Sequence, residues 1–82
     1  MNGLKIGDRV RVIIALTIDG TNKVKVAKGM IGTVKELNNI YSGVEFDDYI
    51  GGHKGKWGGK NGHCWYINNK YLEKIEYTEK AR

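Results

Sequence analysis

Arg9-Val10-Arg11-Val12-Ile13-Ile14 decides the fold. Val10, Val12 and Ile14 fall on one face of an extended chain and Arg9, Arg11 and Ile13 on the other, which is the two-residue period of a strand. Working outward, Asp19-Gly20-Thr21-Asn22 reads as a turn, because Asp, Gly and Asn tolerate left-handed backbone. Val24 and Val26 resume the alternation. Gly29 and Gly32 flank Met30-Ile31, Thr33-Val34-Lys35-Glu36-Leu37 reads as a β-branched strand, and Asn38-Asn39 as the next turn. Residues 40–46 form another strand in which Gly43 marks a bulge or a close backbone approach.

Farther on, His63-Cys64-Trp65-Tyr66-Ile67 is a short aromatic strand, Asn68-Asn69-Lys70 a single helical turn, and residues 71–77 a closing strand. No segment keeps a helical period over ten residues. Five short strands separated by turns, in a chain without proline, predict an all-β fold: a small five-stranded antiparallel barrel, whose closure removes exposed strand edges. The 82 residues suffice for one small domain, 1–82, with its core at about 5–77 and a frayed polar tail at 78–82.

A net charge of +5 biases encounters toward polyanions: nucleic acid, acidic protein surfaces or anionic lipid. Cys64 is the sole cysteine, so no intramolecular disulfide can form, and the longest aliphatic run, residues 12–16, is far shorter than a membrane span or a signal-peptide core. The expectation is a cytoplasmic protein with no membrane partner. Its oligomeric state stays open, since uncovered strand edges could pair into a dimer or be covered by a loop.

Half of the twelve glycines lie in residues 51–62, GGHKGKWGGKNG, together with Lys54, Lys56, Lys60, His53 and Trp57 and no acidic residue. Glycine at this density exposes backbone N–H groups but is costly to order without a packing or binding reason. Two readings of Trp57 stay open. As an exposed ring beside lysines it would stack a nucleobase while the ammonium groups follow the phosphates; alternatively it folds back to cap an open barrel end. Trp65, on one strand face with His63 and Ile67, reads as packing. Lys23, Lys25 and Lys28 open a second basic run, without an acid from residue 23 to 35, and Arg9 and Arg11 share a strand face.

Other constellations carry little chemistry. His53, His63 and Cys64, with Asp47 as a fourth ligand, have the donor types of a zinc site but not the close Cys pairs of structural zinc motifs; the expectation is no metal, with the histidines bonded to loop backbone and Cys64 a small buried hydrophobe. Asp47 and Asp48 are adjacent on an extended segment and point to opposite faces, which disfavours paired acid–base work and favours a turn. No catalytic residues and no cofactor are expected.

Gly7-Asp8-Arg9-Val10-Arg11-Val12, followed by Lys28-Gly29-Met30-Ile31-Gly32-Thr33-Val34, is similar to the opening of KOW-type small barrels. Gly32-Thr33-Val34, Gly43-Val44-Glu45-Phe46-Asp47-Asp48, Trp65-Tyr66-Ile67 and Leu72-Glu73-Lys74-Ile75 resemble CAP-Gly domains. These patterns imply an SH3-like barrel; KOW-type families mostly bind RNA or protein. Gly52-His53 and Gly62-His63-Cys64-Trp65-Tyr66 further resemble short uncharacterised barrel domains encoded in bacterial and bacteriophage genomes, whose role the resemblance does not supply. The chain also departs from these patterns. The CAP-Gly loop Gly-Lys-Asn-Asp-Gly aligns with Gly51-Gly52-His53-Lys54-Gly55, so the core that grips acidic C-termini is missing, and Gly59-Lys60-Asn61-Gly62 recovers part of it in another register. Lys23, Lys25 and Lys28 stand where barrels that bind proline-rich peptides carry an acidic loop.

The sequence thus predicts a non-enzymatic binding module that contacts nucleic acid through Lys54, Lys56, Lys60 and Trp57, with Arg9, Arg11, Lys23, Lys25 and Lys28 as auxiliary charge. The alternative is a protein-interaction module, of the kind a phage uses to regulate or inhibit a host factor, that sets the same loop against an acidic or peptide surface.

Overall fold

The computed structural model describes residues 3–17 and 25–75. These hold seven strands: β1 (Arg9–Val12), β2 (Leu16–Thr17), β3 (Lys25–Val26), β4 (Ile31–Leu37), β5 (Tyr41–Phe46), β6 (Cys64–Asn68) and β7 (Leu72–Lys74). A 3-10 turn, Asn69–Tyr71, precedes β7. Five strands form one antiparallel sheet in the order β6-β5-β4-β1-β7, and β2 pairs with β3 apart from it. The expected all-β, five-stranded architecture with one helical turn before the last strand is therefore present.

The sheet must be rolled. The two edge strands are joined by only three residues, Asn69–Tyr71. In a flat sheet the edges would stand roughly 19 Å apart, four spacings of ~4.8 Å, whereas a 3-10 turn advances only ~2 Å per residue. No ladder joins β6 to β7 among the described residues, so the roll does not close into the expected hydrogen-bonded barrel. Ser42 Oγ–H donates to Asn69 Oδ1 (2.5 Å), Asn69 Nδ2 donates to the Asn38 carbonyl (3.0 Å) and Asn69 N–H to the Ile40 carbonyl (2.8 Å), tying the turn to the start of β5.

Val10, Val12, Val34, Val44, Phe46 and Ile67 alternate onto the inner face, joined by Leu4, Val26, Ile50 and Leu72 in one buried cluster. Trp65 is half-buried against it, as its strand face predicts. A bulge at Lys35 sets the register: Val34 pairs with Val44 but Glu36 with Gly43, so two steps on β4 match one on β5. Without this extra residue Glu36 would point inward; with it the carboxylate stays outside and Leu37 faces the core.

Several boundaries differ from the sequence reading. β1 stops at Val12, where the β4 side of its ladder is displaced: the Val12 carbonyl accepts from Gly29 N–H while Met30 N–H goes to the Ala27 carbonyl; Ile13 N–H still reaches the Tyr71 carbonyl on the β7 side, and Ile13 and Ile14 are exposed. β4 starts at Ile31 and takes Gly32 into the strand, and β7 ends at Lys74. The expected turn at residues 19–22, Val24, and residues 76–82 lie outside the described residues.

Candidate functional site

Register places side chains in rows across the outer face of the sheet. Arg9, Thr33, Glu45 and Cys64 form one row, and Glu36, Gly43 and Tyr66 the next. The loop of residues 51–62 folds back over these rows as a small hairpin. Gly52 N–H donates to the Gly62 carbonyl (3.2 Å), Gly62 N–H to the His53 carbonyl (3.1 Å) and Gly59 N–H to the Lys54 carbonyl (2.7 Å). His53 also exchanges two backbone bonds of 3.0 Å with Cys64, adding one residue of pairing to the free side of β6. The loop thereby occupies the first residue of the β6 edge, at Cys64.

Trp57 clamps the hairpin down and caps no barrel end. Its ring lies over Gly43, where a Cβ would meet Trp57 Cζ3 at 2.6 Å; Gly55 and Gly59 line the same slot. Nε1–H donates to Glu45 Oε1 (3.2 Å), and the ring meets Tyr66 edge-on at 6.0 Å. Tyr66 is fixed in turn, its hydroxyl donating to Glu36 Oε1 (2.6 Å). That bond to a carboxylate holds the Tyr66 hydroxyl proton more tightly than usual, raising its pKa, with burial and the Glu36 charge adding to it. Gly43 is thus both the residue opposite the bulge and the close-approach point.

Beneath the hairpin Cys64 is fully buried, its Sγ–H directed at the Lys60 carbonyl (3.6 Å). Burial pushes the thiol pKa up, and the Glu45 carboxylate adds to the shift. His53 Nδ1 accepts from Gly55 N–H (2.8 Å) and its ring stacks on Trp65 at 4.8 Å. His63 is buried with Nδ1 on the Phe46 carbonyl (3.0 Å). These three side chains brace loop and core, and among the described residues no three His, Cys, Asp or Glu converge.

The sequence-predicted basic residues separate into two groups. Lys54, Lys56 and Lys60 are exposed on the hairpin and, among the described residues, have no acidic partner within 4.0 Å. Arg9 instead makes a two-pronged contact with Asp47 (2.8 and 2.6 Å) and a bond to Thr33 Oγ1 (3.0 Å), and Arg11 pairs with Glu73 at 3.3 Å. The Arg9 hydrogen bonds hold the Asp47 carboxyl below its ordinary pKa, against a smaller opposing effect of burial. Lys28 is exposed in the turn before β4; only the backbone of Lys25 is described, in β3; Lys23 lies outside the described residues.

Tyr49 is an aromatic that the sequence reading passed over. It is 70% exposed and sits in the bend between β5 and the loop, where the Asp47 N–H donates to the Ile31 carbonyl (3.0 Å), at the same end of the sheet as the Lys28 turn. Its signal was an aromatic in Asp-Asp-Tyr-Ile-Gly-Gly, a segment with no strand alternation to explain it.

No helix among the described residues is long and apolar enough to cross a membrane. No family model, no curated protein and no solved structure matches the chain.

Proposed function

We propose that this chain is a non-enzymatic binding module that contacts the phosphates of nucleic acid through Lys54, Lys56 and Lys60, in a reducing, cytoplasmic setting where Cys64 stays a thiol. The observation that carries the reading is the contrast in charge pairing. The arginines of β1 are engaged by Asp47 and Glu73, whereas the three loop lysines stand exposed and unpaired among the described residues. They project from a hairpin that Trp57 and the five backbone hydrogen bonds described above already hold in place, so less ordering entropy is lost on binding than in an unbraced glycine loop. Trp57 serves as the strut of this surface, since its N–H and the face over Gly43 are already occupied. The strand order β6-β5-β4-β1-β7, with a 3-10 turn before β7, supports assigning the rolled sheet to the SH3-like barrels.

Three lysines facing phosphates imply that log affinity falls with log salt at a slope of about 2.7 on duplex and about 2 on single strands. Fluorescence anisotropy on short oligonucleotides of both kinds, at several salt concentrations, tests this. A flat salt dependence, or no binding at low salt, removes the reading and leaves an acidic protein surface as the partner.

A further inference from the structure

Among the described residues, the aromatic ring nearest the loop that the internal packing does not use up is Tyr49. Trp57 gives its N–H to Glu45 and its face to Gly43; Tyr66 gives its hydroxyl to Glu36; Trp65 lies on the core and against His53. Tyr41 is half-exposed but starts β5, opposite Asn68, at the other end of the strand from the loop. Tyr49 differs from all of these in being 70% exposed and fixed.

Its fixation comes from one side. The ring lies so close to the Gly62 backbone that a Cβ there would overlap its Cε1 atom. Gly62 has φ +87 and is the third residue of the turn closed by His63 N–H on the Lys60 carbonyl (3.1 Å), a position that demands left-handed backbone. The buried His63 ring meets Tyr49 nearly perpendicular at 5.9 Å, and His63 is itself anchored on the Phe46 carbonyl. The turn that supports the tyrosine therefore begins with Lys60, and Lys54 is joined to the neighbouring Gly59 by a 2.7 Å backbone bond. A supported, solvent-facing ring is thus packed on the turn that begins with Lys60, with Lys54 one backbone bond farther along the same hairpin, and among the described residues neither lysine has an acidic partner within 4.0 Å.

We propose that Tyr49 is a base-stacking platform and that the ligand of this surface is single-stranded nucleic acid, one base lying on the ring while Lys60 and Lys54 take the flanking phosphates; the inference rests on the phosphate-binding reading above. A duplex keeps its base faces stacked internally and offers this surface phosphates alone, so the ring discriminates between the two forms. Because every base has a π-face, the preference is for strandedness and not for sequence.

The test uses the full chain, a fluorescein-labelled dodecathymidylate and a labelled duplex of equal length, with wild-type protein, Tyr49→Ala and Tyr49→Phe, each checked by thermal melting. Tyr49→Ala is expected to weaken the single strand roughly tenfold, to leave the duplex within about twofold, and to leave the salt slope unchanged; Tyr49→Phe keeps single-strand affinity within about threefold. If Tyr49→Ala binds the single strand as wild type does, or loses both ligands equally, or if Tyr49→Phe falls as far as alanine, the platform assignment is overturned while the phosphate reading stands. A wild-type protein that binds neither ligand at low salt overturns both.

Discussion

Adding a single methyl group at Gly43 probes the contact that holds the loop. The strand conformation at Gly43 suits alanine, and a glycine-to-alanine change in a strand interior would ordinarily gain about 0.5–1 kcal/mol. Here the new Cβ would stand 2.6 Å from Trp57 Cζ3 and 3.0 Å from Cη2, well inside van der Waals contact, and 3.1 Å from Glu36 Cβ. Overpacking of this kind costs about 1–3 kcal/mol. Trp57→Ala removes the two closest contacts and leaves Glu36 Cβ, which has to give by only a few tenths of an ångström. A fully buried tryptophan would lose about 3–5 kcal/mol on truncation, but this ring is half-buried on the outer face, and Glu45 can turn to water, so about 2–3 kcal/mol is expected. In a domain of this size 2 kcal/mol lowers the melting temperature by roughly 8–16 °C. In the Trp57→Ala background Gly43→Ala should be neutral or slightly stabilising, giving a coupling between the two sites of about 1.5–3 kcal/mol. Urea melts of wild type, both single variants and the double variant measure it. If Trp57→Ala costs under about 0.5 kcal/mol, or if Gly43→Ala is equally harmful in both backgrounds, the ring is not seated where we place it.

Two further outcomes concern ionisation. Asp47 has a lowered pKa in the folded protein, so its pairing with Arg9 contributes stability above the ordinary aspartate range and loses it as pH falls from about 4 downward. With the two side chains 34% and 50% exposed, the contribution stays below about 1 kcal/mol, and Asp47→Asn should flatten only that acid limb of a stability–pH profile. Tyr66 behaves oppositely. Its pKa is raised on folding, so the Glu36 bond stabilises below pH ~10 and is lost as pH rises beyond it; Tyr66→Phe should cost about 1 kcal/mol at neutral pH and remove this alkaline loss, read by chemical denaturation at pH 7 to 11.

The local parts of this molecule were legible in its sequence. The alternation of Val10 and Val12, the turn at Asn38, whose Oδ1 accepts the Ile40 and Tyr41 N–H groups (2.8 and 2.7 Å), and the helical turn capped by Asn68 all depend on neighbours a few residues away. What escaped depends on partners far along the chain. Gly43 could be read as a close-approach point, but the ring that approaches it comes from Trp57, across the loop. Arg9 looked available for phosphate because Asp47, 38 residues away, meets it only once the Lys35 bulge and the β4–β5 register are set. Residues 51–62 stood out as a lysine-bearing glycine loop, yet whether Trp57 faces solvent or sheet turns on one missing side chain in another strand, that of Gly43.

The most direct test of the account is the change in salt slope when the loop loses its charges. Replacing Lys54, Lys56 and Lys60 together by glutamine removes three exposed cations and no packing contact described above, so the melting temperature should hold, with a change in stability within about 0.5 kcal/mol. Against a single-stranded oligonucleotide the slope of log affinity on log salt should fall by about two, and affinity at low salt should drop steeply. An unchanged slope with unchanged affinity would show that phosphates are held elsewhere, if they are held at all, and would contradict the account.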